Sequence, residues 1–365
     1  MVINRLPDGL SGITVIGAAI LPEEMEIDNP GLMDGVRRCG VQVVYEGSGT
    51  NLQQNLHSVS YLDNASGKSD EITLCLNDRD GDWMGGTAFE KERDLDVTAY
   101  MWNWGASKSI EKYHCGNFTV DDITYQGGNN RITVKGVSTP AASSFQTDPV
   151  SKTWKQITLK QIAEEMMSKY GMINLYFWGD DPIIESAEQD SQTDSAFLYD
   201  ICKKQGKALK IYKKGFVIFD EALYESRGIT ARFTKGDFIG GDYEWNTTLN
   251  GTYTGGVISY KPPKQKEAIT VTIGEGPRFL HIRETVESEG EAIRTIRERV
   301  NAENKKAVTI RFKIIANKDL VASCNIEIYG LGRIDGKYYV DSVLNSIGPG
   351  GYTMDVTAHL ILQRL

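Results

Sequence analysis

No apolar run in the 365-residue sequence approaches the ~18 residues that a membrane-spanning helix needs. The best candidate for a secretory leader is Ile13 to Leu21, and a glycine breaks it. It follows Asp8 instead of a cationic stretch and runs into Pro22-Glu23-Glu24 with no small-x-small cleavage site. We therefore expect neither a leader nor membrane insertion. Cysteine is scarce as well. Cys39, Cys75, Cys115, Cys202 and Cys324 are odd in number, far apart, and form no CxxC pair. That spacing excludes zinc-ribbon and thioredoxin-like chemistry. It suits five reduced thiols, mostly small core residues, in a reducing cytosol.

Catalytic motifs are missing too. The four histidines (His57, His114, His281 and His359) lie in different segments, with no HExxH and no i, i+4 pair. No GxSxG elbow is present, so a Ser-His-Asp set cannot be assigned. The acidic turn Asn77-Asp78-Arg79-Asp80-Gly81-Asp82 invites a calcium-loop reading, but the sixth and twelfth positions hold Trp83 and Phe89. A solvated β-turn is the better expectation. Gly330-Leu331-Gly332 with Gly336 has its third glycine one place late for a dinucleotide fingerprint, and the next element reads as a strand. Carboxylate pairs such as Asp180-Asp181 and Glu164-Glu165 carry little information among 49 acids. Without a leader, the Asn-x-Ser/Thr sites at Asn64, Asn117, Asn246 and Asn250 are chance. No catalytic residue, metal or cofactor is expected.

Positive charge is also in deficit. Forty basic side chains face 49 acidic ones, a net −9. Clustered Lys and Arg, which neutralising phosphates would require, are not seen, so a nucleic-acid binder is disfavoured. Glycine is abundant instead: 37 residues without a Gly-X-Y period suggest a chain rich in turns and strands.

Strand patterns dominate from Val41 onward. Val41, Val43 and Tyr45 alternate with Gln42, Val44 and Glu46, and Ile72, Leu74 and Leu76 alternate with Thr73 and Cys75. In the middle the period changes. Thr158-Leu159-Lys160-Gln161 is a capping box, followed by Leu159, Ile162, Ala163 and Met166 at helical spacing and by Gly171 as a left-handed cap. A second helix starts at Thr193 or Asp194, carries Phe197, Leu198, Ile201 and Cys202 on one stripe, and ends at Gly206. A hairpin follows, Leu209 to Ile211 and Phe216 to Phe219. Glu287 to Lys306 reads as a third, amphipathic helix, and strands fill the remainder.

The expected architecture is α+β and mainly β: two small antiparallel β-barrel domains with an α+β domain between them. The segments are an arm at 1–36, a first barrel at 37–145, the α+β domain at 146–228, strands returning to the barrel layer at 229–262, and a second barrel with one helix at 263–365. Pro262-Pro263 marks a boundary. Phe118-Thr119-Val120-Asp121-Asp122-Ile123 before Gly127-Gly128 parallels Tyr338-Tyr339-Val340-Asp341-Ser342-Val343 before Gly350-Gly351, 220 positions later. A chance hairpin and a duplicated barrel both account for that pairing.

Gln189, Thr193-Asp194, Phe197-Leu198 and Gly206 before Leu209-Lys210-Ile211 resemble the phage late control gene D family, the baseplate hub proteins of contractile tails. That family is similar to the hub half of type VI secretion spike proteins. Upstream, Ser58 to Asp63 leading through Asp70-Glu71-Ile72 to Trp83 looks like its first barrel. Downstream, Gly336, Tyr338-Tyr339-Val340 and Gly350-Gly351-Tyr352 look like its closing strands. The match spans about Arg37 to Leu365 and leaves the first 36 residues unexplained. The resemblance implies no enzyme. It implies a homotrimeric ring whose six barrels meet a six-fold tail tube on one face and a three-fold central spike on the other. Tape measure and baseplate wedge proteins are further implied partners, and the place is the baseplate of a virion or tail-like particle assembled in a bacterial cytoplasm. If such a ring passes DNA, an acidic lumen would keep the polymer from sticking. A tail-associated cell-wall hydrolase and a carbohydrate-binding β protein remain the alternatives. The six scattered tryptophans fit core packing better than a glycan platform.

Overall fold

A computed structural model describes residues 37–365 apart from 46–54, 82, 84–88, 105–109, 140–143, 213, 262–267, 285 and 287. The expected N-terminal arm and the Pro262-Pro263 boundary lie outside the described residues. The chain divides into two compact units, 1–61 with 72–137 and 345–353, and 62–71 with 138–344 and 354–365.

The first unit is antiparallel β. Its strands are β1 (Arg38–Tyr45), β2 (Leu56–Asn64), β3 (Glu71–Asn77), β4 (Asp94–Trp102), β5 (Ile110–Gln126) and β6 (Arg131–Val137), paired in the order β1-β4-β5-β6-β3-β2. The period-two pattern sets the faces: Ile72, Leu74 and Leu76 are fully buried while Thr73 and Cys75 are half-buried. Register shifts at Val97/Thr98 and Val120/Asp122 bend the long β5 against both neighbours. The sheet runs on from β2 into residues 345–348, and β1, β2 and Ile347-Gly348 line one cavity of about 290 Å³. Trp83 stacks on Phe89 at 5.0 Å, and Phe89 meets Tyr45 at 4.9 Å. In the turn before Trp83, Arg79, Asp80 and Gly81 are exposed as expected, and Asp78 turns inward. Asp78 is only 2% exposed and accepts the Trp83 backbone N–H at 3.1 Å, so the carboxylate closes the turn from inside instead of being solvated.

The second unit opens with α1 (Ser144–Thr147), β7 (Pro149–Thr158), α2 (Leu159–Lys169), β8 (Asn174–Phe177), β9 (Ile183–Thr193), α3 (Asp194–Lys204), β10 (Lys207–Tyr212), β11 (Gly215–Asp220) and α4 (Glu221–Ser226). The capping box forms as its residues predict: Thr158 Oγ1 accepts from Gln161 N and Gln161 Oε1 accepts from Thr158 N. Thr193 caps α3 through a bond from Ala196 N, which frees Asp194 for other contacts. The β10–β11 hairpin is present, and β8 adds to β11 in parallel. β7 and β9 form a two-stranded antiparallel ladder that the period analysis missed, because polar residues occupy most of both strands. The helices bury Leu159, Ile162, Phe197, Leu198 and Ile201 against Ile211, Phe216 and Ile218 of the hairpin.

Gly206 ends α3 with φ at +66°, where a Cβ would also stand 2.5 Å from Glu298 Cδ. The Gly206→Ala substitution is expected to cost about 1–3 kcal/mol from backbone strain and the displaced carboxylate. Urea unfolding should show the lower midpoint, whereas Gly171→Ala, at φ +63° with open space around it, should show strain alone.

The chain continues as β12 (Ala231–Phe233), β13 (Phe238–Thr247), β14 (Gly255–Tyr260), β15 (Ile269–Gly274), β16 (Phe279–Ile282), α5 (Glu289–Asn304), β17 (Val308–Ile315), β18 (Asn325–Ile328), β19 (Gly336–Gly348) and β20 (Gly351–Leu360). The third helix thus lies within the expected span, capped by Ser288 Oγ, which accepts from Glu291 N. Its Ala292, Ile296 and Val300 pack on Ile258 and Val271 of the β15-β14-β16 sheet, a small core of its own. β13 pairs β17 antiparallel, β12 pairs β18 in parallel, and β18 pairs β19. Antiparallel ladders dominate throughout, so the molecule is mainly β with interspersed helices, as expected.

Candidate functional site

Three clusters of buried polar side chains stand out, all inside the second unit. The first is built on Lys210, which sits at mid-strand in β10 between Leu209 and Ile211. Its ammonium donates to Asp63 Oδ1, to the Asn64 carbonyl at 2.9 Å and to Asp70 Oδ1 at 3.1 Å. Asp63 Oδ2 accepts from Ala322 N at 2.9 Å, and Asp70 Oδ1 accepts from Asn64 N at 2.9 Å. Ser138 joins the cluster by accepting from Asp70 N and donating to the Ile211 carbonyl. Asp63 and Asp70 are 3% and 1% exposed. Burial opposes the charge on Lys210, but the two carboxylates hold its pKa above the ordinary lysine value. Burial pushes Asp70 up to about 6, with Lys210 pulling down and Asp63 pushing further up.

The second cluster joins two of the family-motif residues. Gln189 Nε2 donates to Asp194 Oδ1 at 2.8 Å and to the Gln192 carbonyl at 2.9 Å. Asp194 Oδ2 accepts from Lys169 Nζ and from Tyr170 Oη, each at 2.7 Å. Burial disfavours the Asp194 carboxylate, yet the bonds from Lys169, Gln189 and Tyr170 hold it below the usual range. These contacts tie the ends of α2, β9 and α3 together, which is a folding role.

The third cluster borders an open cleft of about 510 Å³ between α3 and α5. Arg364 makes a fork onto Glu225, Nε to Oε2 at 2.9 Å and Nη2 to Oε1 at 3.0 Å. His359 Nδ1 lies 2.8 Å from Asp341 Oδ1, and its Nε2 stands 3.6 Å from Glu225 Oε1. Burial works against both charges. The Arg364 hydrogen bonds and the nearby His359 still lower Glu225 to about 2, and Asp341 and Glu225 raise His359 to about 9. The backbone below is fixed independently. Asn325 Nδ2 donates to the Tyr224 carbonyl, and Lys337 Nζ donates to the Glu225 carbonyl at 2.7 Å, satisfying the last carbonyls of α4.

The other motif positions are scattered through the cores. Trp83 is a core residue of the first unit, and Phe197 stacks on Trp154 at 4.9 Å. Leu198 is fully buried in the α2–α3 core. Tyr339 is fully buried in β19 beside the His359 ring, at 5.3 Å. Gly336 opens β19, Gly350 lies in the turn, and Gly351 starts β20. Among the motif positions, Gln189 and Asp194 are linked by a direct hydrogen bond. Sequence reasoning did not single out Lys210, Asp70, Glu225, His359 or Arg364 as a connected set. A lysine between two buried aliphatics in a strand was the available signal for Lys210; the others carry no local one.

These groups are arranged for holding, with charge met by opposite charge. Among the described residues no three potential metal ligands converge. Glu165 takes bonds from Lys152 and from Trp154 Nε1, and Asp181 accepts from Lys160 N. No helix among the described residues is long and apolar enough to cross a membrane.

No protein-family model matches the chain. A probable baseplate hub protein of Escherichia phage 186 is 22% identical over 244 residues, 64% of this chain and 59% of that protein, so less than two thirds of that relative is spanned. Among solved structures, the 43 kDa tail protein of prophage MuSo2 from Shewanella oneidensis superposes with a TM-score of 0.67 at 14% identity, over 88% of this chain and 98% of that one. A component of the type VI secretion system from E. coli, itself similar in structure to T4 bacteriophage tail proteins, gives 0.57 at 10% identity over 88% of this chain and 77% of that one. In sequence the chain is similar to a probable phage baseplate hub protein, and in fold it is similar to phage tail proteins.

Proposed function

We propose that this chain is a structural subunit of the baseplate hub of a contractile phage tail or tail-like particle. It forms a homotrimeric ring that adapts a six-fold tail tube to a three-fold central spike. The carrying observation is the shared fold, which takes in 88% of this chain and 98% of a solved phage tail protein. Two similar hairpins, β5–β6 and β19–β20, support the reading: each follows an aromatic-x-Val-Asp-x-aliphatic strand and turns at paired glycines. A ring of three chains with two such hairpins presents six related positions to a tube and three to a spike. Tube and spike proteins are the main partners, with tape measure and wedge proteins beside them. The role needs no catalysis, and the buried ionic clusters act as cross-ties.

Sedimentation of the full chain, alone and with its cognate spike protein, tests this. The expected species holds three copies of the 40.6 kDa chain, with the mass of the bound spike added when the spike is present. A monomer under both conditions overturns the ring. Clearing of peptidoglycan in a zymogram, abolished by one carboxylate substitution, would replace the structural role with a hydrolase.

A further inference from the structure

The connection between β13 and β14, residues 248–254, carries the sequence's single Asn-Gly step, Asn250-Gly251. With no Cβ on the following residue, nothing shields its backbone nitrogen from the asparagine side chain. A fold blocks their reaction when it holds either group in hydrogen bonds. Here neither is held. Among the described residues the Asn250 carboxamide has no hydrogen-bond partner, and the Gly251 N–H has none either; the Asn250 backbone alone bonds, its N–H donating to Thr248 Oγ1 at 3.1 Å and its carbonyl accepting from that hydroxyl. Asn250 is exposed beside Leu249, which is 75% exposed. Gly251 has φ at +76°, and nothing lies within 4 Å of the place a Cβ would take. The rest of the loop is braced: Thr252 N and Oγ1 both donate to the Leu249 carbonyl, and Arg278 Nη1 donates to Thr252 Oγ1 at 2.9 Å. The other asparagines that precede a small residue are all held. Asn64, before Ala65, donates from Nδ2 to the Ser69 carbonyl at 2.9 Å. Asn301, before Ala302, accepts from Leu365 N at 2.9 Å, and Asn345, before Ser346, accepts from Tyr352 Oη at 2.8 Å.

We propose that Asn250 is a site of spontaneous deamidation through a cyclic imide. Gly251 N attacks Asn250 Cγ and a bond forms between them. The Cγ–Nδ2 bond breaks, and Nδ2 leaves as ammonia with the proton that Gly251 N gives up. Water then opens the five-membered ring. Opening at Cγ leaves aspartate. Opening at the main-chain carbonyl leaves isoaspartate, whose chain runs through the former side chain. No oxidant, metal or cofactor enters. Either product adds a carboxylate to an exposed loop tip. Isoaspartate also lengthens the main chain by one methylene inside the turn that Thr252 N closes on the Leu249 carbonyl, and so opens that turn. The site is independent of the hub assignment.

The full chain, kept folded in warm, mildly alkaline buffer beside a synthetic peptide of residues 248–253, tests this. Mass mapping of a digest should show the fragment with Asn250 gaining about 1 Da as an amide becomes an acid. Its rate should lie within about 10-fold of the free peptide and be on the order of 10-fold faster than at Asn64, Asn301 or Asn345. Isoaspartate should be the larger product, detected by an isoaspartyl methyltransferase, and Asn250→Gln should remove both signals from that fragment. A folded chain that stays unchanged while the peptide converts would overturn the proposal, because the fold would then protect the step. Earlier conversion at one of the three held asparagines would overturn it too, as would aspartate formed without isoaspartate.

Discussion

Replacing Lys210 with methionine is expected to destabilise the second unit by about 3–5 kcal/mol. The lysine lies between two carboxylates that are almost wholly buried, and its three bonds run to Asp63, to Asp70 and to the Asn64 carbonyl. Removing the cation strands two like charges in a site that water does not reach, and that penalty exceeds the loss of the bonds themselves. Two controls separate this account from simple overpacking. The defect should shrink as pH falls from 7 to 5, because Asp70, already raised to about 6 by burial, takes up a proton more readily once the lysine is gone. Adding Asp63→Asn and Asp70→Asn to Lys210→Met should recover much of the loss, since the buried charge is then absent altogether. Guanidinium unfolding monitored through Trp154, which lies in the α2–α3 core, measures each step. A single Lys210→Met variant as stable as the parent would overturn the argument.

That cluster also shows what local pattern can and cannot reveal. The start of α2 is written within four residues, Thr158 to Gln161, and both reciprocal bonds form. The stripe Phe197, Leu198, Ile201 and Cys202 is equally local, and all four side chains are buried. Likewise Ile72, Leu74 and Leu76 announce their inward face by alternation alone. Lys210 and Asp63 are 147 positions apart, and no period links them. The same holds for Glu225 and Arg364, 139 positions apart. The β7–β9 ladder was illegible for a different reason. Lys152, Lys155, Glu185, Glu188 and Asp190 break its alternation, because one face of this ribbon meets solvent. Asp78 misled in the opposite sense: an acidic turn normally faces water, but here the carboxylate folds inward to hold the Trp83 backbone. The resemblance to hub proteins succeeded where single motifs did not, because order and spacing along the chain record tertiary constraints that no short window contains.

Between pH 6.5 and 9 the second unit should lose on the order of 3 kcal/mol of stability through His359. The imidazole is 3% exposed, with Asp341 accepting from Nδ1, the Glu225 carboxylate 3.6 Å from Nε2 and Tyr339 against its ring; Lys305 nearby opposes its charge. Its folded pKa of about 9 lies above the unfolded value of 6.5, so its contribution is complete below 6.5 and fades as pH rises through 9. Glu225 runs the other way. Its pKa is lowered to about 2, so its contribution is complete above the unfolded value and fades only as pH falls toward 2. The two shifts describe one network and do not add. Lys337, whose ammonium burial pushes down, titrates in the opposite sense at alkaline pH, so the informative quantity is the difference between parent and variant. His359→Gln should be less stable than the parent at pH 6 and converge with it by pH 9.5, as measured by parallel urea titrations. Glu225→Gln should give a similar convergence at lower pH, because the imidazolium then keeps only Asp341 as its counter-charge. If parent and His359→Gln kept a constant gap from pH 6 to 9.5, the histidine would be acting by packing alone.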